Sequence, residues 1–156
     1  MRHKEAAMNS GIKIVCPDCG AVNRVADNRP RSRAHCGNCH HSLFTAHPIS
    51  VDEDRFQRHL VLNSIPILLD IWAPWCGPCR AMAPAFERVA SELEPQIRLL
   101  KLNADEAPNV SAQLGVRGIP ALYLFSHGAV IAQTAGAMNS DAITEWTREH
   151  LPQSAF

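Results

Sequence analysis

The pattern of apolar and polar positions divides the sequence into two unlike parts. Up to residue 47 there is little apolar periodicity, whereas from residue 49 onward strand-like and helix-like apolar spacings alternate. Residues 65–72 form a nearly continuous apolar run, which is typical of a strand buried on both faces. The stretch Gly77–Leu93 follows, with its large apolar side chains at helical spacing, namely Met82, Phe86, Val89 and Leu93.

The second part contains signals for several further elements. Ser50 and Glu53 have the spacing of a capping box and predict a helix over residues 52–63. The side chains of that helix predicted to face inward are Phe56, Leu60 and Val61. A strand over residues 97–103, a short helix over residues 110–114 and a hairpin of residues 121–125 and 130–134 are predicted to follow. The last predicted helix is Ser140–His150, with Ile143, Trp146 and Leu151 facing inward. This order predicts an α/β fold with a central mixed sheet flanked by helices.

The first part is too poor in apolar residues to fold alone without a covalent or metal link. Its predicted core residues are Val15, Val22, Val25, Leu43 and Phe44. His47-Pro48 marks the boundary with the α/β part. The predicted organisation is therefore a loose N-terminus over residues 1–11, a small module over residues 12–47 and an α/β domain over residues 48–156.

Targeting signals are not predicted. The longest strongly apolar stretch, residues 119–125, is far shorter than the roughly 20 apolar residues of a membrane-spanning helix. The first 13 residues lack the apolar core of a secretory signal, and the chain can start at Met1 or at Met8. All six cysteines fall in three Cys-x-x-Cys pairs, which favours metal or redox chemistry in a reducing, cytoplasmic setting over a disulfide scaffold.

Two of these pairs have the spacing of a zinc site. Cys16, Cys19, Cys36 and Cys39 form a C-x2-C-x16-C-x2-C pattern, in which each pair directs two sulfurs to one point. A closed site of four sulfurs leaves no position for water, so one zinc with a structural role is expected. Two disulfides or four free thiols are the alternative. The turn residues are expected to be Gly20 and Gly37, and the neighbouring histidines His35, His40 and His41 are expected to be solvated.

The formal net charge of zero hides an asymmetry. Residues 1–50 carry seven basic and three acidic side chains, a net charge of +4, and the remainder carries −4. The basic cluster Arg24, Arg29, Arg31 and Arg33 leaves open an alternative function, a zinc-ribbon interaction module or nucleic-acid-binding module. No aromatic residue for base stacking lies among these arginines, and a zinc with four thiolates would itself add a charge of −2 to the module.

The third pair, Cys76 and Cys79, lies where the buried strand ends and the helix begins. The unpaired N–H groups and positive dipole end of a helix N-terminus favour a thiolate, so Cys76 is the expected nucleophile. Pro78 suits the first helical turn, and Gly77 leaves room for an attacking group. Cys79 lies about one helical turn away and can form a disulfide with Cys76.

Here the chain resembles a known family. Residues 48–156 are similar to thioredoxins, and with the four-cysteine segment nearly the whole chain resembles the zinc-containing second thioredoxins of bacteria. The matching stretches are residues 70–80 (DIWAPWCGPCR), 101–105 (KLNAD), 118–120 (GIP) and 136–137 (GA). Ala121 departs from the family, which usually has Thr after the proline of the third stretch.

The resemblance implies a function for individual residues. Asp70, a lone carboxylate in an apolar strand, would be the base that takes the proton from Cys79, since burial raises a carboxyl pKa. Lys101 would tune that carboxylate, although a strand-end Asp and a surface Lys are the simpler interpretations. The implied substrate contacts are Trp75, Gly77, Pro78, Gly118, Ile119, Pro120 and Gly136, with Ile119-Pro120 matching the family's cis-proline.

The resemblance also implies the reaction, which is reduction of protein disulfides at about −270 mV. Cys76 would attack the substrate, Cys79 would release it, and an NADPH-dependent thioredoxin reductase would restore the dithiol. The chain would act as a monomer. An oxidase or isomerase on the same fold remains an alternative, as does oxidation sensing by the zinc module.

Overall fold

The computed structural model describes residues 11–152, so most of the predicted loose N-terminus lies outside the described residues. The strands are β1 Gly11–Val15, β2 Val22–Ala26, β3 Ile49–Val51, β4 Ile67–Trp72, β5 Arg98–Asn103, β6 Ala121–Ser126 and β7 Ala129–Ala135. The α-helices are α1 Glu53–Leu62, α2 Gly77–Leu93, α3 Pro108–Leu114 and α4 Ser140–His150. None of the helices within this range is both long and apolar enough to cross a bilayer.

A five-stranded sheet forms the centre of the larger domain, in the order β3-β5-β4-β6-β7. Strands β3, β4 and β5 are parallel, whereas β6 runs antiparallel to both β4 and β7. One face packs against α1 and α3 through residues such as Phe56 and Val110, and the other packs against α2 and α4 through residues such as Phe86 and Ile143. The predicted mixed sheet with helices on both faces is therefore confirmed.

The start of α1 differs from the prediction. Asp52, not Ser50, caps the helix, and its Oδ1 accepts the N–H of Arg55 at 2.7 Å. The carboxylate of Glu53 instead accepts the N–H groups of Asn109 and Val110 at 2.8 and 3.0 Å, and so caps α3 from a distance in sequence. Ser50 lies in β3, three residues before the helix begins at Glu53, and is therefore not at the N-cap position.

The inner face of α1 contains Phe56 and the partly buried Leu60, as predicted, but not Val61. Val61 is 74% exposed, whereas His59 is fully buried. Phe56 faces the sheet, and a residue five positions further on lies about 140° around the helix from it, on the outer side. The prediction for Val61 was therefore wrong, because apolar character alone does not say which side of a helix the sheet covers.

The N-terminal module is a β1–β2 hairpin followed by two turns and a short 3-10 helix over Arg31–Arg33. Its core contains Val15, Val25, Leu43 and Phe44 as predicted, together with Ile14. Val22 is 40% exposed, contrary to prediction, because side chains alternate along β2 and those of the inner face belong to Asn23 and Val25.

Candidate redox site and metal centre

Cys76 and Cys79 form a disulfide at the N-terminus of α2. Cys76 is the N-cap residue, and its Sγ accepts the N–H of Cys79 at 3.2 Å. Both side chains are almost fully buried, with exposed fractions of 5% and 3%. The site therefore holds a reversible two-electron centre whose sulfur at position 76 faces the positive end of the helix.

The loop before β6 lies against this disulfide. The Ile119-Pro120 peptide is cis, and the carbonyl oxygen of Ile119 lies 3.9 Å from Cys76 Sγ. The N–H of Gly136 donates to the carbonyl of Pro120 at 2.8 Å, which ties the end of β7 to the same loop. Side chains added at Gly77 or Gly118 would meet only open space, so the backbone here is accessible to another chain.

Trp75 forms the exposed rim of the site. Its side chain is 68% exposed, and its Nε1 donates to the carboxylate of Asp105 at 3.0 Å. The indole is thus fixed in orientation while most of its surface faces solvent. No sequence signal had indicated Asp105 as its partner.

Asp70 is buried in β4, the strand that precedes the disulfide along the chain. Its exposed fraction is 1%, and its Oδ1 has no hydrogen-bond partner among the described residues. Burial raises the pKa of the Asp70 carboxyl to about 7, while the positive charge of Lys101 opposes that rise. Lys101 is the register partner of Asp70 on β5, and its Nζ lies 4.8 Å from the centre of the Trp72 ring.

The other four cysteines converge in the N-terminal module. Their sulfur atoms all lie within 4.8 Å of one another, with Sγ–Sγ distances of 3.5 Å for Cys16–Cys39 and 3.6 Å for Cys19–Cys36. A disulfide would require about 2.05 Å, and sulfurs around one zinc at about 2.3 Å would lie about 3.8 Å apart. The arrangement therefore fits a metal site and argues against two disulfides.

The turns around the sulfurs contain the predicted glycines. Gly20, after Cys19, has φ +78°, and Gly37 lies in the turn between Cys36 and Cys39, where its N–H donates to Asn23 Oδ1 at 2.9 Å. His40, after Cys39, has φ +68°. Histidine tolerates this left-handed conformation better than bulky side chains do.

Two asparagines that the sequence did not single out contact the sulfurs. Asn23 Nδ2 lies 3.4 Å from Cys36 Sγ, and Asn38 Nδ2 lies 3.5 Å from Cys19 Sγ. Donors of this kind stabilise thiolates. His35, His40 and His41 lie outside the four-sulfur group, and His41 Nδ1 instead lies 3.3 Å from the carboxylate of Asp18.

A buried arginine joins the module to the larger domain. Arg98, on β5, is fully buried and donates to the carbonyls of Leu43 and Val15 at 2.8 and 3.2 Å. Its guanidinium lies 4.5 Å from the centre of the Phe44 ring and 3.9 Å from the carboxylate of Glu94. Burial lowers the pKa of Arg98 to about 10 and raises that of Glu94, although each charge partly offsets the shift of the other.

Comparison with known proteins agrees with this arrangement. The thioredoxin family model matches residues 47–149, and the model described as thioredoxin 2, N-terminal, a zinc ribbon, matches residues 15–41. Thioredoxin C-3 of Corynebacterium nephridii is 36% identical over 140 residues, which cover 90% of this chain and 96% of the relative. A thioredoxin of Acidithiobacillus ferridurans is 40% identical over 101 residues, which cover 65% of this chain and 94% of the relative.

Among solved structures, a mutant thioredoxin from Halobacterium salinarum is 26% identical, with a TM-score of 0.62. The match covers 70% of this chain and 97% of that structure. The two family models together account for both the redox disulfide and the four-cysteine metal site. The chain is therefore a thiol-disulfide oxidoreductase that belongs to the thioredoxin family.

Proposed function

We propose that the protein reduces disulfides of other proteins through the Cys76–Cys79 pair. The observation that carries this proposal is the position of the disulfide, at a helix N-terminus and against the Ile119-Pro120 loop. This loop offers backbone groups to an extended chain beside the reactive sulfur. The substrate-contacting residues would be Trp75, Gly77, Pro78, Gly118, Ile119, Pro120 and Gly136.

The reaction consists of two exchange steps that move two electrons. In the dithiol form, Cys76 thiolate attacks one sulfur of the substrate disulfide, and the other substrate sulfur leaves as a thiolate that takes up a proton. Cys79 then loses its proton and attacks Cys76 Sγ. The mixed disulfide breaks, the second substrate thiol is released, and the Cys76–Cys79 disulfide forms.

Asp70 would take the proton from Cys79 in the second step. A carboxyl with a pKa of about 7 is half ionised near neutral pH, as a general base at that pH requires. Lys101 would keep this pKa from rising further, since its charge favours the carboxylate. Asp70 would act from inside the protein, whereas Lys101 is half-buried beside it on the next strand.

The partners in this proposal are protein disulfides and, for regeneration, an NADPH-dependent thioredoxin reductase. The protein would work in the cytoplasm as a monomer, at a potential near the roughly −270 mV of thioredoxin. Reduction of insulin disulfides with this reductase and NADPH tests the activity directly. Efficient oxidation or isomerisation of reduced substrates, without reduction, would favour the alternative interpretation.

Replacing the second cysteine should trap the substrate. In Cys79→Ser the first step proceeds but the resolving thiol is missing, so a covalent Cys76–substrate species should accumulate. Non-reducing electrophoresis followed by mass spectrometry would detect it. Cys76→Ser is the matched control and should trap little. Equal trapping by both variants would contradict the assigned order of attack.

The metal is proposed to be zinc, bound by Cys16, Cys19, Cys36 and Cys39 in a module over residues 12–47, beside a thioredoxin domain over residues 48–156. Four thiolates form the usual donor set of a structural zinc site. When bound, the ion would link two turns that have few apolar contacts of their own. Oxidation of the thiolates by peroxide would release it, which would make the module a redox sensor.

Metal analysis should find one zinc per chain in the reduced protein and a loss of most of it in Cys16→Ser. Cys76→Ser should keep the full content, because its sulfur belongs to the other site. A metal-free wild-type protein purified under reducing conditions would rule out the zinc assignment. The same measurement after peroxide treatment, alongside insulin reduction, tests sensing: zinc loss without a change in activity would rule that function out.

A further inference from the structure

A cavity of about 490 Å³ opens beside the redox site, between the end of α3 and strands β6 and β7. It shares Gly118 with the loop that faces Cys76, so the cavity and the redox site are continuous along the backbone. Arg117, the residue before Gly118, forms part of its wall. Gly118 is the one proposed substrate contact in the lining, and the reaction steps use none of its other residues.

The walls of the cavity carry one full charge. Arg117 is exposed, and no residue between positions 11 and 152 pairs with it by hydrogen bond or ion pair. The other polar groups of the lining are uncharged, since they belong to Gln133, Thr134 and Tyr123, and burial raises the pKa of the Tyr123 hydroxyl. The cavity therefore has a positive potential that no neighbouring carboxylate neutralises.

The floor of the cavity is formed by a small side chain. Ala121, the first residue of β6, is paired with Ile71 of β4 and contributes only a methyl group. Its side chain has no hydrogen-bonding group that could compete for a ligand of Arg117.

We propose that this cavity receives an acidic side chain of the substrate, next to its reactive cysteine, and that Arg117 is the residue that selects it. The inference rests on the proposed reduction of protein disulfides. An extended substrate paired along Ile119 would place its cysteine at Cys76 and a residue one or two positions away beside Gly118. A carboxylate there can accept two parallel hydrogen bonds from the guanidinium.

The test uses disulfide peptides that differ in one residue. Asp, Asn or Lys is placed at each of the two positions on either side of the cysteine, and kcat/KM is measured with the full chain at low salt. At one position, we expect the Asp peptide to be reduced about fivefold faster than the Asn peptide, and the Lys peptide to be slowest. Raising the ionic strength should reduce this preference.

The variants assign the preference to one residue. In Arg117→Gln the Asp-to-Asn ratio should fall close to one, and Arg117→Lys should keep part of it because the charge remains. Arg80→Gln is the control, since Arg80 is an exposed arginine on α2 that does not line the cavity. If the wild type reduces Asp and Asn peptides with the same kcat/KM at every tested peptide position, the proposal is overturned. It is also overturned if Arg117→Gln leaves the wild-type ratio unchanged. Failure to reduce any peptide would instead contradict the proposed function itself.

Discussion

Asp70→Asn should make the folded protein more stable above pH 7 and should also slow the release of substrate from the Cys76 mixed disulfide. In the folded protein the pKa of Asp70 is about 7 against an ordinary value of 3.8, so the folded state binds the proton more tightly than the unfolded state does. That contribution to stability is complete below about pH 4 and is lost as the pH rises through about 7. A pKa difference of about three units corresponds to roughly 4 kcal/mol in the free energy of unfolding. The wild type loses this contribution as the pH rises, whereas the Asn variant, which has no carboxyl at this position, does not.

Urea unfolding of the oxidised protein at pH 5 and pH 8 measures about 2.7 kcal/mol of this difference, because at pH 5 the carboxyl of the unfolded chain is already ionised and that of the folded protein is not. The variant should gain stability relative to the wild type between the two pH values. His59, whose pKa burial lowers to about 3, has the opposite pH dependence, but it is present in both proteins and cancels in the comparison. Asp54→Asn, an exposed carboxylate on α1, is the control and should leave the pH dependence of the wild type unchanged.

The kinetic half of the prediction concerns the release of the substrate. Decay of a preformed Cys76 mixed disulfide should slow by at least about tenfold in Asp70→Asn above pH 7, since the base is missing. Near pH 6 the decay rates of the wild type and the variant should lie closer together, because the wild-type carboxyl is then itself largely protonated. Decay at the wild-type rate over the whole pH range would remove Asp70 from the proposed mechanism.

Arg98→Met should destabilise the whole chain and weaken the metal site. The variant leaves the carbonyls of Val15 and Leu43 without their donor and Glu94 without its partner, inside the protein. Removing one partner of a buried ion pair lowers the free energy of unfolding by about 3 to 5 kcal/mol. The two carbonyls lie in the module that holds the metal, so the apparent metal affinity in a chelator competition should fall as well.

The chain offers a matched control for this variant. Arg88 and Glu92 have the same spacing in sequence, with Nε and Oε1 3.5 Å apart, but they lie on the surface. Arg88→Met should therefore cost at most about 1 kcal/mol and leave the metal affinity unchanged. Adding Glu94→Gln to Arg98→Met should recover part of the loss, since it removes the isolated carboxylate. Equal effects of Arg88→Met and Arg98→Met would show that burial is not the cause.

Local sequence signals predicted most of the fold and the two cysteine sites. Helix α2 and the run that contains β4 were predicted closely because apolar spacing and a buried strand are properties of neighbouring residues. The four sulfurs were predicted from spacing alone for the same reason. The burial of Asp70 was predicted because one charge in an apolar strand is conspicuous, while its role as a base stays a prediction.

Several of the errors and omissions depend on partners distant in sequence. Glu53 caps a helix that begins 55 residues later, and nothing near position 53 indicates this. Val61 faces outward because of where the sheet lies, not because of its own character. Arg98 was not singled out in the sequence, because its acceptors, the carbonyls of Val15 and Leu43, belong to the other module.

The hydrogen bonds of Arg98 also bear on the order of events during synthesis. The last metal ligand, Cys39, leaves the ribosome 59 residues before Arg98. At about 5 to 20 residues per second, that interval is roughly 3 to 12 seconds. During this time the four cysteines are present on the nascent chain, but the arginine that satisfies the carbonyls of Val15 and Leu43 is not. Until Arg98 emerges, the module depends on its own hairpin, on a metal at the four sulfurs and on earlier contacts such as that of Asn63 Oδ1 with the N–H of Val15.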